Sequence, residues 1–191
     1  MQATTTTTTD GQRAATREVA TLGGGCFWCL EALYQRVREV NKVVSGYSGG
    51  AEENPTYEST HGPRNTHAEV VNVSFDPDII SIETILEIFW TMHDPTTRNQ
   101  QGNDIGVEYR SIILYSDKAQ KEVVEKSAET VAKRLWQKPI TTEIKQLDVF
   151  WPAEDYHQDW FNKHPEQAYC QVIINPKVVK LKKKFSSLFK E

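Results

Sequence analysis

Three consecutive glycines, at positions 23 to 25, separate two segments of different periodicity near the start of the chain. Residues 17–22 alternate weakly between polar and apolar side chains, which predicts a strand that the glycines end. The apolar residues after them fall on one face of a predicted helix, at Phe27, Leu30, Leu33, Tyr34, Val37 and Val40. The opposite face carries the polar residues Glu31, Gln35, Arg38 and Glu39. The sequence therefore predicts a strand, a tight turn and a helix, with Cys26 in the first helical turn.

The rest of the chain continues this alternation of strands and helices. Strands are predicted at residues 40–47, 67–75, 109–115 and 142–150. Helices are predicted at residues 82–92, 118–136, 152–163 and 177–190, the second of them capped by Asp117. The order β-α-β-β-α-β, with further helices after it, predicts an α+β fold. We expect a two-layer sandwich with a ferredoxin-like core, in which helices cover one face of a largely antiparallel sheet, with extra helices and long functional loops.

Length and charge limit the class of protein. The 191 residues favour a single catalytic domain at residues 16–191, preceded by a disordered, threonine-rich tail at residues 1–15. A net charge of −4 gives no reason to expect nucleic acid or an anionic membrane as a partner. No apolar run approaches the ~18 residues that span a bilayer. The polar N-terminus does not resemble a secretory signal, so we expect a cytoplasmic protein, with organelle targeting left open.

Three cysteines, Cys26, Cys29 and Cys170, favour redox or nucleophilic roles over a structural disulfide framework. Cys26 follows the glycines at a predicted helix start, where unpaired N–H groups and the helix dipole favour a thiolate. Cys29 completes a C-x-x-C pair. No second cysteine pair and no suitably spaced histidine pair follow it, so we expect no metal site. No cofactor is expected either.

The two longest predicted loops and their borders carry polar side chains suited to a catalytic site. Glu69 begins an apolar strand, where it is either a surface-exposed carboxylate or a buried carboxyl group that would act as a proton donor. Asp104 lies in the second loop, where an ordinary turn-stabilising role is the alternative. Tyr57 and Tyr109 flank these loops and offer hydroxyl groups. Phe27 and Trp28 follow Cys26, and either both belong to the core or Trp28 lines a pocket for a small apolar group.

Two further patterns invite a hydrolase interpretation. Gly46-Tyr47-Ser48-Gly49-Gly50 matches G-x-S-x-G, but no apolar-periodic helix follows it, so we interpret it as a turn. His157 would be a base for Cys26, although a surface or core histidine is the more common explanation. A cysteine hydrolase or acyltransferase would need His157 hydrogen-bonded to Cys26. A non-enzymatic alternative is a redox sensor in which Cys26 and Cys29 switch.

Seven motifs in order resemble the peptide-methionine (S)-S-oxide reductases, the A-type methionine sulfoxide reductases. Six of them are Gly25-Cys26-Phe27-Trp28, Gly46-Tyr47-Ser48-Gly49-Gly50, Asn54-Pro55-Thr56-Tyr57, His67-Ala68-Glu69-Val70-Val71, Gly102-Asn103-Asp104-Ile105-Gly106 and Tyr109-Arg110-Ser111. The seventh runs from Pro152 to Gln158. The resemblance covers nearly the whole chain after about Val19. The sequence departs from the family pattern at Thr66 and Cys29, where glycine is common, and in lacking a glycine-rich tail that bears a further cysteine.

The resemblance implies a function and a role for each candidate residue. The Cys26 thiolate would attack the sulfur of the S-epimer of free or peptide-bound methionine sulfoxide, in the repair of oxidised proteins. Phe27 and Trp28 would hold the methyl group. Glu69 would protonate the oxygen, which would be bound by Tyr57, Asp104 and Tyr109. The resulting Cys26 sulfenic acid would condense with a second cysteine, and thioredoxin would reduce the disulfide.

The second cysteine is either Cys170 or Cys29, and the sequence favours Cys170. Two residues three apart on a regular helix have Cβ atoms roughly 5–6 Å apart, whereas a disulfide prefers ~3.5–4.5 Å. Cys170 has no such local constraint, and the resemblance places a resolving thiol near it. Cys29 remains the alternative, since C-x-x-C pairs at helix starts do form disulfides.

Overall fold

The structure is a computed structural model that describes residues 17–190; the predicted tail at residues 1–15 lies outside the described residues. Its main sheet has six strands: β1 (Glu18–Gly23), β2 (Val40–Ser48), β3 (Ala68–Phe75), β6 (Ile112–Tyr115), β7 (Glu143–Gln146) and β8 (Trp151–Pro152). A separate two-stranded hairpin contains β4 (Gln100–Gln101) and β5 (Asp104–Ile105).

Residues 17–190 form seven α-helices, of which the last two follow the final strand: α1 (Phe27–Tyr34), α2 (Tyr57–Thr60), α3 (Ile82–Met92), α4 (Lys118–Ser127), α5 (Lys133–Leu135), α6 (Trp160–Lys163) and α7 (Asn175–Lys184). Short 3₁₀ turns lie at Val107–Tyr109, Asp155–His157 and Ser186–Leu188. Two π-helical turns also occur, at Ala128–Ala132 between α4 and α5 and at Cys170–Ile174 before α7. No described helix is long and apolar enough to cross a membrane.

The sheet confirms the predicted fold class. Its strand order is β7-β6-β1-β3-β2-β8, and the inner four strands have the arrangement of a ferredoxin-like core. Strand β1 runs antiparallel to both β3 and β6, and β2 is antiparallel to β3 and β8. Only the β6–β7 pair is parallel among these strands. The fold is therefore the expected α+β sandwich with a largely antiparallel sheet.

The two faces of the sheet are covered differently. The helices pack on one face, where Leu22, Val71 and Ile113 join the main apolar core with α1 and α3. The opposite face carries a small cluster of Ala68, Val70, Ile112 and Leu114, against which Leu147 and Phe150 pack. Alternating residues of β3 thus serve two cores, as the period of a strand requires.

Several helices and strands begin or end at residues other than those predicted, because the backbone changes direction earlier than the spacing of apolar residues indicates. The first helix ends at Tyr34, and Glu39 takes a left-handed φ of 66° that reverses the chain into β2. Val37 is buried by pairing with Phe189, not by a helix. The strand predicted at 109–115 begins at Ile112, and that predicted at 142–150 is shortened to β7. The helices predicted at 152–163 and 177–190 are likewise shorter, as α6 and α7.

The predicted cap of the long helix is confirmed. Asp117 accepts a hydrogen bond from the Gln120 N–H at 2.9 Å, which satisfies one of the free donors of the first turn. The helical segment runs through α4, the π turn and α5 to Leu135, one residue short of the prediction.

The prediction that Glu31 lies on an exposed face is wrong. The residue is only 1% exposed, because the segment before α6 covers this side of α1. Its carboxylate accepts hydrogen bonds from the N–H groups of Asp159 at 2.9 Å and Trp160 at 3.3 Å. Burial raises the pKa of Glu31 to about 7, while these two hydrogen bonds oppose the rise. Glu31 thus holds the C-terminal segment against the first helix.

We expect Glu31→Ala to lower the free energy of unfolding by ~2–3 kcal/mol, because two backbone N–H groups lose their acceptor. Urea denaturation at neutral pH measures the change. The matched control is Glu122→Ala on the exposed face of α4, which should alter stability by less than ~0.5 kcal/mol. Equal effects of the two substitutions would show that the buried carboxylate does not hold the segment.

Candidate active site

All seven residues that the sequence predicts for catalysis and substrate binding line one cavity of about 190 Å³. Cys26 and its two aromatic neighbours come from the start of α1, Glu69 from β3 and Tyr57 from α2. Asp104 lies on β5, and Tyr109 ends the 3₁₀ turn after it. Tyr169, which the sequence analysis did not select, is the eighth lining residue. The fold therefore brings together side chains that are separated by more than 140 positions.

Cys26 is the N-cap of α1 rather than a residue of its first turn. Its backbone is non-helical, with ψ at 128°, and its carbonyl accepts the N–H of Cys29 at 3.0 Å. Gly25 before it has a φ of +93°, which favours glycine, and a Cβ there would lie 2.6 Å from the side chain of Gln101. The glycine therefore permits the close turn that delivers Cys26 to the cavity.

The expected lowering of the Cys26 pKa by the helix start is not what the environment produces. Burial raises the pKa of the Cys26 thiol well above its usual value, and the hydrogen bond with Cys29 and the charge of Glu69 act in the same direction. Only the Trp28 N–H opposes them. For Cys29, the hydrogen bond from Cys26 and the nearby Lys177 lower the pKa to about 6. Of the two thiols, Cys26 therefore has the higher pKa.

Glu69 is the buried acid of the cavity, with 1% of its surface exposed. Its Oε2 accepts a hydrogen bond of 2.8 Å from the Phe27 N–H, one of the free donors at the start of α1. Burial raises the pKa of Glu69 to about 8, although this hydrogen bond lowers it, and the charges of Glu108 and Asp104 raise it further. Glu69 therefore carries a proton at neutral pH and faces the same cavity as the Cys26 sulfur.

The two predicted tyrosines are joined by a histidine that the sequence analysis did not select. His61 Nδ1 lies 2.8 Å from the Tyr57 carbonyl oxygen, and its Nε2 lies 3.1 Å from the Tyr109 hydroxyl oxygen. The same Nε2 is 3.6 Å from Glu69 Oε1. Burial raises the pKa of both tyrosines, which keeps their hydroxyls protonated. In the sequence, the spacing of four residues between Tyr57 and His61, which brings two side chains together on a short helix, could have indicated this contact.

Asp104 and Tyr169 close another side of the cavity. The Tyr169 hydroxyl donates to Asp104 Oδ2 at 2.8 Å and lies 3.8 Å from the Cys29 sulfur. This hydrogen bond joins the β4–β5 hairpin to the C-terminal segment across 65 positions of sequence. No local sequence pattern indicates that Tyr169 pairs with Asp104. The sequence shows only that Tyr169 lies next to Cys170.

Of the two roles considered for Phe27 and Trp28, Phe27 is a core residue and Trp28 lines the cavity. Phe27 is fully buried and belongs to the core as well as to the cavity wall. Trp28 is only partly buried, and its ring stacks on Trp160 with centroids 4.3 Å apart and planes 6° apart. Since Glu31 binds the Trp160 N–H, the aromatic wall depends on that buried carboxylate. The pair forms an apolar surface beside the sulfur.

His157 does not meet the requirement of a cysteine hydrolase. It is 2% exposed, and neither ring nitrogen has a hydrogen-bond partner among the described residues. Its ring packs against Phe27 and Tyr57, with centroids 5.1 Å and 4.7 Å away. Burial lowers its pKa. His157 is therefore a neutral core residue rather than a base for Cys26.

The G-x-S-x-G match is also structural. Its first three residues complete β2, and the chain turns at Gly49, which has a φ of +75°. The Ser48 hydroxyl donates to the Val149 carbonyl oxygen at 2.6 Å and is buried. Thr66, one of the departures from the family pattern, accepts the Ala51 N–H at 3.0 Å and fixes the same loop. The motif therefore forms a strand end and a turn, with no exposed nucleophile.

The position of Cys26 weakens the geometric objection to Cys29. Because Cys26 is the N-cap of α1 and has a non-helical backbone, the Cβ separation expected for two residues within a regular helix does not apply to Cys26 and Cys29. All three cysteines are free thiols. Cys170 is fully buried in the π turn, and burial together with the charge of Cys29 raises its pKa. The resolving role of Cys170 stays a prediction.

No group of three or more His, Cys, Asp and Glu side chains suited to a metal ion occurs within residues 17–190.

Comparison with known proteins agrees with this geometry. The family model for peptide methionine sulfoxide reductase matches residues 18–188. A curated relative from Saccharolobus solfataricus, peptide methionine sulfoxide reductase MsrA, is 54% identical over 172 residues, which are 90% of this chain and 94% of the relative.

Solved structures give the same relationship. Mxr1 from Saccharomyces cerevisiae in reduced form superposes with a TM-score of 0.75 at 32% identity, over 82% of this chain and 91% of that chain. The same yeast protein in complex with Trx2 gives a TM-score of 0.54 at 25% identity, over 78% and 89% of the two chains. From its cavity, its family match and its relatives, this chain belongs to the peptide methionine sulfoxide reductase family.

Proposed function

We propose that the enzyme reduces the S-epimer of free or peptide-bound methionine sulfoxide, in the repair of oxidised proteins, with Cys26 as nucleophile and Glu69 as proton donor. One observation carries this proposal: a thiol and a buried carboxyl group, whose pKa burial raises to about 8, converge on a cavity of about 190 Å³. The Phe27 N–H ties the carboxyl group to the residue next to the thiol. A sulfoxide needs both groups, because its oxygen does not leave as a bare oxide.

The first chemical step uses only groups in this cavity. The Cys26 sulfur bonds to the sulfoxide sulfur. The protonated oxygen then moves from the substrate sulfur to the Cys26 sulfur, as the sulfur–oxygen bond of the substrate and the new sulfur–sulfur bond both break, and Cys26 becomes a sulfenic acid. Glu69 gives its proton to the oxygen and takes up the proton that the Cys26 thiol releases. Methionine leaves as the sulfide. The raised pKa values of both groups support this exchange, since both are protonated before substrate binds.

The remaining cavity residues would hold the substrate. The hydroxyl groups of Tyr57 and Tyr109 donate to the sulfoxide oxygen, and Asp104 binds it through water. The apolar surface of Phe27 and Trp28 holds the methyl group. Their placement around one cavity supports these roles, because polar and apolar groups lie on different walls.

Regeneration would use both remaining cysteines in turn. Cys29 condenses with the Cys26 sulfenic acid, a disulfide forms and water is released. The direct interaction of Cys29 with Cys26 at the start of α1 supports this order. Cys170 then attacks the disulfide at Cys29 and frees Cys26. This order differs from the expectation drawn from the sequence, in which Cys170 condenses directly with the Cys26 sulfenic acid and Cys29 is the alternative.

Thioredoxin, which is oxidised in exchange, would reduce the final disulfide. The complex of the yeast relative with Trx2 supports such a partner. A redox sensor without enzymatic activity would share the thiol pair but would not need the buried acid. The cytoplasmic location stays a prediction.

We expect Cys26→Ser to have less than about a tenth of wild-type activity, because a hydroxyl group is a far weaker nucleophile than a thiol. The assay is formation of methyl phenyl sulfide from the sulfoxide with dithiothreitol, followed by chiral separation of the remaining sulfoxide. The S-epimer should disappear and the R-epimer should remain. Higher residual activity, or equal loss of both epimers, would contradict the assignment.

Glu69→Gln should slow the single-turnover reduction by about 10²-fold, the lower part of the range for general acid catalysis. Below its pKa of about 8, Glu69 holds the proton to be donated, so the wild-type rate should fall as pH rises through that value. The variant should lack this dependence. Glu58→Gln, on the exposed face of α2, is the matched control. An unchanged rate in Glu69→Gln would assign the proton to another group.

The order of disulfides is tested by peptide mapping after one equivalent of sulfoxide. Cys170→Ser should accumulate a Cys26–Cys29 disulfide and lose thioredoxin-driven turnover. Cys29→Ser should accumulate the Cys26 sulfenic acid, because in the proposed order Cys29 is the thiol that condenses with it. A Cys26–Cys170 crosslink in Cys29→Ser, with turnover close to wild type, would instead make Cys170 the direct resolving thiol.

A further inference from the structure

His61 lies at the meeting point of three elements of the site. Its ring packs on Tyr57 from its own short helix, with centroids 4.1 Å apart. Its Nε2 faces the Tyr109 hydroxyl at 3.1 Å and Glu69 Oε1 at 3.6 Å. A quarter of its side chain is exposed, against 2% for that of Glu69. His157, from the turn at Asp155–His157, is a further titratable group in this region; burial lowers its pKa, and a charge on His61 acts in the same direction.

The contacts of His61 fix its tautomer. A carbonyl oxygen only accepts hydrogen bonds, so the Nδ1 atom that lies 2.8 Å from the Tyr57 carbonyl must carry a hydrogen. In the neutral ring, Nε2 then has only a lone pair. The Tyr109 hydroxyl donates to that lone pair, and its hydrogen is directed at His61 instead of the cavity.

We propose that His61 is a positioning residue that sets the direction of the Tyr109 hydroxyl hydrogen. When the ring is protonated, Nε2–H donates to the Tyr109 oxygen, and the hydroxyl hydrogen is free to turn into the cavity. There it donates to the sulfoxide oxygen. Glu69 Oε1 lies 3.6 Å from Nε2, so the Glu69 carboxylate, once it has given up its proton, lies beside the same edge of the ring. This inference rests on the proposed roles of Glu69 and Tyr109.

The test is a double-mutant cycle on the single-turnover reduction of methyl phenyl sulfoxide, with His61→Phe, Tyr109→Phe and the double variant. Phenylalanine keeps a ring against Tyr57 and removes both nitrogens. We expect His61→Phe and Tyr109→Phe each to slow reduction roughly tenfold, the scale of one hydrogen bond in the transition state. The double variant should be no slower than Tyr109→Phe. His164→Phe, at a histidine that packs on Trp160 outside the cavity, should react as wild type.

A second variant, His61→Gln, separates positioning from a general structural role. Its amide N–H donates at every pH, so it should restore most of the rate and remove the part of the pH dependence that belongs to His61. The limb that belongs to Glu69 should remain. Thermal unfolding and Cys26 alkylation report on the fold, and if His61→Phe does not fold, the pH profile of His61→Gln decides.

The outcomes distinguish a failure of the role proposed for His61 from a failure of the proposed function. A slow Tyr109→Phe with a wild-type His61→Phe, additive effects of the two, or a His61→Gln profile identical to wild type would overturn the role of His61 alone. An unchanged rate in Tyr109→Phe would overturn the proposed role of Tyr109, and the role of His61 with it.

Discussion

The hydrogen bond between the Phe27 N–H and Glu69 Oε2 is the constraint on which the site depends. A buried carboxyl group is costly unless it is hydrogen-bonded, and the start of a helix has N–H groups without partners. The bond satisfies both requirements at once. It also fixes the end of α1 that carries Cys26 against the strand that carries the acid. The geometry of the proposed site and the packing of the helix on the sheet therefore depend on the same contact.

A second buried glutamate, Glu31, accepts backbone hydrogen bonds in a similar way at the next turn of the same helix. Glu31 binds two backbone N–H groups of the segment around Trp160, and Trp160 supports the Trp28 ring by stacking. The first helix thus joins the sheet at its start and the C-terminal segment along its side. Parts of the chain more than 120 residues apart meet at this helix because acceptors on it match donors elsewhere.

The sequence predicted those features of the structure that depend on local patterns of residues. The fold class followed from alternating periodicities, and Cys26, Glu69 and Tyr109 were selected because motifs place them at element borders. Glu31 was placed wrongly, since spacing distinguishes two faces of a helix but does not show that a later segment covers the polar one.

The residues that the sequence analysis missed depend on distant contacts. Tyr169 is recognised only through its hydrogen bond to Asp104, and His61 only through Tyr109, 48 positions away. The expectation about the Cys26 pKa failed for a related reason. The helix start favours a thiolate, but burial and the neighbours Cys29 and Glu69 outweigh it.

The size of the cavity decides which methionines the enzyme repairs. At about 190 Å³ it is smaller than the ~300–1,000 Å³ typical of pockets that enclose whole small ligands. Under the proposed function it would enclose the sulfoxide end of one side chain, and the protein that carries it would stay outside. An oxidised methionine in the core of a folded client would be out of reach until that client opens locally. Repair would then follow the exposure of the damaged residue: termini, loops and unfolded chains would come first, and core damage would wait for unfolding of its host.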